Sequence, residues 1–126
     1  RDAQESRGLG DVYKRQEDRV VIVAVPQSLQ KSMALTEADM EDLAALGGVV
    51  EGADCAVTMK ETKDGAWKVS MRTGARVNAT LACSKLGGGG HRAASGCLIE
   101  HADYETARAM ILNAIAEAVR EEQVQA

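Results

Sequence analysis

The alternation of apolar and polar residues predicts strands in the first two thirds of the chain. Residues 19–25 contain a continuous, mostly β-branched run that is typical of a buried strand, and Pro26 ends it. Residues 53–61 and 67–72 alternate between apolar and polar side chains, which predicts two strands. Lys63-Asp64-Gly65 between them contains the Asp-Gly pair that is typical of a tight hairpin turn. One face of the return strand carries Trp67, Val69 and Met71, and the other carries Lys68, Ser70 and Arg72.

Three segments have helical spacing. The first begins at Thr36-Glu37-Ala38-Asp39, which is similar to a capping box, and ends at Gly47-Gly48. The second is predicted over residues 79–86 with Asn78 as its N-cap. The third runs from Tyr104 to about Val119, followed by a solvated end at residues 120–122. The apolar positions of the first are Met40, Leu43, Ala44 and Leu46, and those of the third are Ala107, Met110, Ile111, Ala114, Ile115 and Ala118.

These elements predict the fold class. A glycine run follows the second helix, and Ser95 to Ile99 is a strand of mainly small residues. The order is therefore β-α-β-β-α-β-α, which is typical of a single small α/β domain with helices packed on a mixed β-sheet.

Residues 1–16 lack periodicity, and we expect a disordered tail there. The stretch from Ser6 to Gln16 also resembles translated sequencing-adapter read-through, so the tail is either disordered or artefactual. On that interpretation the domain occupies residues 17–126 and its parent protein continues upstream of Glu17.

Composition narrows the function classes. The chain has 126 residues and a formal net charge of −4, which argues against broad binding to a nucleic-acid backbone but allows a small basic site. Its three cysteines have no metal-ligand spacing, so we expect reduced, buried thiols. Without a secretory signal or a membrane-spanning apolar run, the expected location is the cytoplasm, with no membrane partner.

The glycine run carries the most specific chemistry. Gly87 to Gly90 is followed by His91 and Arg92, whose side chains are expected to supply donors beside the run. Glycine allows positive φ and close approach of the backbone, and successive free N–H groups form an anion-binding concavity. A helical turn beginning at His91 would add its own unpaired N–H groups. The run is also compatible with a flexible loop, but its place between a helix and a strand favours an anion site.

Arg72 is the second candidate. It lies near the end of a strand whose other face is apolar, and its guanidinium can bind a phosphate with two N–H donors. With His91 and the glycine N–H groups it would form a convergent donor set. Ser70 on the same face is a weaker candidate. Arg76 and Lys85 would contribute only to the general positive electrostatic field around the site.

Three stretches resemble the DHH-associated substrate-binding domain of the DHH phosphoesterase family. Residues 50–61 are similar to the family's EGVEVAVLFKE strand, residues 68–73 to KVSLRS, and residues 86–96 to GGGGHxxAAG. The resemblance covers roughly residues 17–119 and is strongest for the oligoribonuclease and phosphoadenosine-phosphate phosphatase branch. Ser95 and Thr73 depart from the family pattern but keep the residues small, so we expect the loop geometry to survive.

The resemblance implies a two-domain metal-dependent hydrolase. In that family an N-terminal Asp-His-His domain holds two metal ions, usually manganese, and the C-terminal domain binds short oligoribonucleotides, nucleoside 3',5'-bisphosphates or linear or cyclic dinucleotides. The substrate contacts carried over to this chain are Arg72, Gly88, Gly89, Gly90 and His91, with no catalytic residue, metal ligand or cofactor of its own. Expected partners are the substrate, the N-terminal catalytic domain of the same parent protein and, as a further option, a second copy in a homodimer.

Two other interpretations remain open at this stage. One is a stand-alone nucleotide- or RNA-binding module without hydrolase activity. The other is the C-terminal module of an alanyl-tRNA-synthetase-like protein, which has a related glycine-rich domain, although His91 fits the phosphoesterases better.

Overall fold

A computed structural model describes residues 11–15, 18–28, 30, 36 and 54–125. These residues form a six-stranded sheet in the order β1-β2-β3-β4-β6-β5, together with two helices. The strands are β1 (Asp11–Arg15), β2 (Asp18–Val25), β3 (Cys55–Glu61), β4 (Trp67–Thr73), β5 (Gly89–His91) and β6 (Ala94–Ile99). The helices are α1 (Ala79–Ser84) and α2 (Tyr104–Gln125).

The sheet is mixed, which confirms the predicted fold class. Strands β2 and β3 pair in parallel, and the other neighbouring strands pair antiparallel. A parallel pair needs a crossover connection between its strands. The predicted helix from Thr36 to Gly47-Gly48 falls in that connection and lies outside the described residues, apart from Thr36, which is exposed.

The β3–β4 hairpin follows the sequence pattern. Gly65 has a φ of +82°, which glycine adopts without steric cost. Trp67, Val69 and Met71 are buried, whereas Lys68, Ser70 and Arg72 are exposed. The register places each β4 residue directly opposite a partner on β3, and Trp67 to Arg72 also lie opposite partners on β6.

The core lies between one face of the sheet and the two helices. Residues of α2 at helical spacing are buried there against apolar residues of β3, β4 and β6. The buried members of the predicted stripe are Ala107, Ile111, Ala114, Ile115 and Ala118. The prediction for Met110 is wrong, because that side chain is 38% exposed.

The strand boundaries agree with the sequence prediction to within two residues, and three other segments differ from it. Asp11–Arg15 was expected in an unstructured tail but forms β1, because Val12 and Tyr13 favour strands and β2 offers an unpaired edge. Helix α1 ends at Ser84 rather than at residue 86. Helix α2 continues to Gln125 instead of ending near Val119.

Candidate functional site

Arg72 and His91 lie in one row across the sheet. Ala94 on β6 is directly opposite Arg72 on β4 and also opposite His91 on β5. Residues directly opposite one another in antiparallel strands project from the same face. Arg72 is exposed whereas Met71 beside it is buried, so this row lies on the side of the sheet away from the core. With neighbouring strands about 4.8 Å apart, the backbones of Arg72 and His91 are separated by about 9.6 Å.

A second row beside the first has almost no side-chain volume. Ser70 on β4 is opposite Gly96 on β6, and Gly96 is opposite Gly89 on β5. We call the side of β4, β6 and β5 that carries these two rows the open face. Its floor consists of glycine, alanine and serine, and it is bordered by the side chains of Arg72 and His91.

Two of the glycines are required by packing. A Cβ on Gly88 would lie 2.1 Å from the carbonyl oxygen of Gly96 and 2.6 Å from the Cβ of Cys97. Gly90 has a φ of +150°, and a Cβ there would lie 2.7 Å from the Cα of Ser95. These glycines allow the run to lie close against β6.

Gly89 is different because the fold leaves its position open. A Cβ built on Gly89 would meet nothing within 4 Å, and its φ lies outside the positive region. Gly89 is exposed and belongs to the row of Ser70. Because glycine has no side chain, the space above the sheet at this position is open, and a ligand can approach the backbone there.

The glycine run is a strand and not the start of a helix. Gly89–His91 forms β5 at the end of the sheet order, and all three residues are exposed. The helical turn considered at His91 is absent from this described segment, because the run pairs with β6 instead. The outer edge of β5 carries backbone groups that the sheet does not use, and N–H groups there can donate to an anion.

Arg92 stabilises the fold and does not join the row. Its Nη1 donates to Oε2 of Glu122 at 3.0 Å, and its Nη2 donates to Oε1 of Glu122 at 3.2 Å and to the carbonyl of Ala75 at 2.9 Å. Asn78 Nδ2 also donates to Glu122. Hydrogen bonds from Arg92 and Asn78 hold the pKa of Glu122 below its usual range. The side chain expected beside the anion site thus ties the β5–β6 hairpin to α2.

The backbone of the hairpin turn is anchored as well. The carbonyl of Arg92 accepts from the N–H of Ala79 at 2.7 Å and from the hydroxyl of Thr73 at 3.1 Å. The hydroxyl of Ser95 donates to the carbonyl of His91 at 2.7 Å. His91 therefore extends from a hairpin that is fixed to β4 and to α1.

The two weaker basic candidates are paired with carboxylates. Arg76 Nε lies 3.8 Å from Oδ1 of Asp54, and Lys85 Nζ pairs with Glu117 and Glu121 of α2. Lys85 therefore joins α1 to α2, as Arg92 joins the hairpin to α2. These contacts give both residues a structural role, and neither residue belongs to the row of Arg72 and His91.

The cysteines lie on the core side, as expected for buried thiols. Cys55 and Cys83 are buried and Cys97 is half-buried, all three as free thiols. Burial raises the pKa of the Cys55 thiol. A hydrogen bond with Cys83 raises the pKa of the Cys97 thiol, and burial acts in the same direction.

Comparison with known proteins identifies the family. A model of the DHHA1 domain matches residues 33–121, which is more than half of the chain. The chain therefore belongs to the DHHA1 domain family, and the resemblance read from its motifs is confirmed. A curated relative, the bifunctional oligoribonuclease and PAP phosphatase NrnA of Thermus thermophilus, is 38% identical over 86 residues. That match covers 68% of this chain and 25% of the relative, so the chain spans about a quarter of the relative's length.

Two solved structures share the fold. An exopolyphosphatase-related protein from Bacteroides fragilis has a TM-score of 0.68 and 17% identity, over 78% of this chain and 28% of that protein. The pGpG-specific phosphodiesterase PggH from Vibrio cholerae has a TM-score of 0.55 and 18% identity, over 86% of this chain and 36% of that protein. At these identities the likeness establishes the fold alone.

The described part of the chain does not fit a metal centre. Within it, no three His, Cys, Asp or Glu side chains are grouped closely enough to hold a metal ion. The open face offers N–H donors and basic side chains, which attract anions and repel cations. Neither of the two described helices is long and apolar enough to cross a membrane.

Proposed function

We propose that the open face binds a phosphate of a nucleotide, and that the chain is the substrate-binding domain of a DHH-family phosphoesterase. The single observation that carries this proposal is the row in which Arg72 and His91 border the small residue Ala94. A phosphate above Ala94 would receive N–H donors from both sides, and the open position at Gly89 would let it approach the backbone.

The substrates proposed are short oligoribonucleotides, nucleoside 3',5'-bisphosphates and linear or cyclic dinucleotides. They share a terminal or bridging phosphate, and the activities for which NrnA and PggH are named act on the same chemical class. Hydrolysis would take place in an N-terminal catalytic domain of a longer parent protein, where two manganese ions would activate water. We assign to this chain the binding and orientation of the nucleotide.

Binding of AMP and pGpG to the 126-residue chain, measured by isothermal titration calorimetry, tests the proposal. Arg72→Ala removes a charge-assisted donor worth about 1.5–3 kcal/mol, so we expect at least about tenfold weaker binding of both ligands. Arg120→Ala is the matched control, because Arg120 is an exposed arginine on α2. Affinity unchanged by Arg72→Ala, or wild-type chain that binds neither ligand, would overturn the proposal.

Histidine provides a second matched pair. His91→Asn should weaken binding, whereas His101→Asn should leave it unchanged. Asparagine suits the control because His101 has a φ of +59°, a conformation that asparagine tolerates better than most residues. Equal effects of the two substitutions would contradict the role of His91.

A further inference from the structure

Two hydroxyl groups form a chain of hydrogen bonds that ends at His91. The Oγ of Ser95 on β6 donates to the carbonyl of His91 at 2.7 Å and lies 3.2 Å from the Oγ1 of Thr80 on α1. A carbonyl oxygen can only accept, so Ser95 uses its single hydroxyl hydrogen in that bond. Thr80 is therefore the donor to Ser95, and the chain runs from α1 through β6 to the last residue of β5.

These hydroxyls lie on the side of the sheet opposite to the open face. Ser95 is directly opposite Met71 on β4, and Met71 is buried in the core. Ser95 therefore projects towards the core and α1, whereas its neighbour Ala94 belongs to the row of His91. A ligand on the open face cannot touch either hydroxyl, so any effect of these groups on binding has to pass through His91.

The strand that carries His91 is short and rich in glycine. Strand β5 has three residues, two of them glycine, and it lies at the end of the sheet order with β6 as its neighbour. Glycine loses more conformational entropy on ordering than any other residue, so such a strand is costly to hold in one conformation. A hydrogen bond to the carbonyl of His91 restricts the backbone from which the imidazole extends. Ordering of this kind before a ligand arrives strengthens binding.

The hydroxyl of Ser95 is a feature of this chain and not of the motif that its sequence resembles. The pattern GGGGHxxAAG has alanine where this chain has Ser95. An alanine side chain can make neither of the two hydrogen bonds. The contact with the carbonyl of His91 is therefore added to a loop whose glycines already fix its path against β6.

We infer that Ser95 and Thr80 are positioning residues for phosphate binding, which act by holding the backbone of His91 in the conformation that binds the ligand. Ser95 makes the contact with His91, and Thr80 orients the Ser95 hydroxyl by donating to it. This inference rests on the proposed function of the open face.

A double-mutant cycle on the 126-residue chain tests the inference, with AMP binding measured by isothermal titration calorimetry. Ser95→Ala removes a neutral hydrogen bond to His91, so we expect about threefold weaker binding. In the His91→Ala background the same substitution should have no effect, because the imidazole that Ser95 positions is gone. An effect on folding alone would lower the Tm and leave the affinity of the folded chain unchanged in both backgrounds.

Thr80 provides a second, independent readout. Thr80→Val replaces the hydroxyl by a methyl group of similar size and should weaken AMP binding about twofold. Thr80→Ser keeps the hydroxyl and should bind AMP as the wild type does. Ser84→Ala is the matched control, because the Ser84 hydroxyl also extends from α1 but donates to the carbonyl of Leu81 in the same helix.

Two results would overturn the inference. One is wild-type affinity for AMP in both Ser95→Ala and Thr80→Val, and the other is an equal loss from Ser95→Ala with and without the imidazole of His91. If His91→Ala still weakened AMP binding in either case, the proposed function would stand without the positioning role. If His91→Ala left AMP binding unchanged, the inference would fail, and the effect of Arg72→Ala would decide the proposed function by itself.

Discussion

Alanine substitutions at two adjacent glycines, made one at a time, should distinguish an effect on stability from an effect on ligand binding. A Cβ on Gly88 would lie 2.1 Å from the carbonyl oxygen of Gly96, a contact that backbone atoms cannot avoid without moving β5 or β6. Overpacking of this kind costs about 1–3 kcal/mol. For a domain of this size that corresponds to a Tm lower by about 4–12 °C. Gly88→Ala should therefore lose stability.

Gly89→Ala should be as stable as the wild type but should bind the ligand more weakly. No atom lies within 4 Å of the added Cβ, so the Tm of this variant should stay within about 2 °C of the wild type. The methyl group would occupy the open space above Gly89, in the same row as Gly96, where we propose that a phosphate approaches the backbone. We expect the affinity for AMP to fall about tenfold, a loss of about 1.4 kcal/mol.

The assay is differential scanning calorimetry of both variants, with AMP titrations at a temperature at which each is fully folded. Gly74→Ala is the control for the methyl group itself, because Gly74 is equally open but lies outside the paired strands. A Tm of Gly89→Ala as low as that of Gly88→Ala would refute the assignment of open space at Gly89. Wild-type affinity for AMP in Gly89→Ala would refute its role in binding.

Two further predictions concern the contacts around the site. Asn78→Ala removes the side-chain oxygen that accepts from the N–H of Leu81, so it should cost about 1 kcal/mol in thermal unfolding, whereas Asn113→Ala on the exposed side of α2 should not. The folded-state pKa of Glu122 is lowered, chiefly by hydrogen bonds from Arg92, so its stabilising contribution is present above the ordinary pKa of 4.5 and is lost as the pH falls through the folded value. Glu122→Gln should therefore lower the Tm at neutral pH and converge with the wild type near pH ~3; an equal difference at both pH values would contradict the ion pair.

Local sequence signals predicted the elements whose causes are local. The Asp-Gly turn and the alternation from Trp67 to Met71 are properties of neighbouring residues, and the structure reproduces them. The N-cap at Asn78 depends on a side chain and a backbone N–H three residues apart. Such features can be derived without knowing the rest of the fold.

The differences arise from contacts between residues distant in the chain. Glycine has low strand propensity, so β5 could not be predicted from Gly89 and Gly90 alone, and the strand forms because β6 pairs with it. The sequence predicts a solvated end at residues 120–122. In the structure Glu121 pairs with Lys85 and Glu122 pairs with Arg92, and these contacts extend α2. The same pairing with Glu122 explains why the side chain of Arg92 does not lie beside the candidate anion site.

The candidate site was predictable as a set of residue types but not as a surface. Sequence motifs pointed to Arg72 and His91, and the structure places them in one row across β6. Sequence alone could not place Thr80 beside Ser95, because that contact depends on how α1 packs against β6.

The alternation along β4 also has an evolutionary consequence. Residues 67, 69 and 71 are enclosed by the core, whereas residues 68, 70 and 72 line the open face. Alternate positions of one strand therefore determine the packing of the core and the chemistry of the open face. Under the proposed function, ligand preference can therefore change through residues 68, 70 and 72 while the core residues stay the same. A combinatorial library at residues 68, 70 and 72 should yield mostly folded members with diversified ligand preferences. This separation would allow a small domain to change the ligands of its open face while its scaffold is preserved.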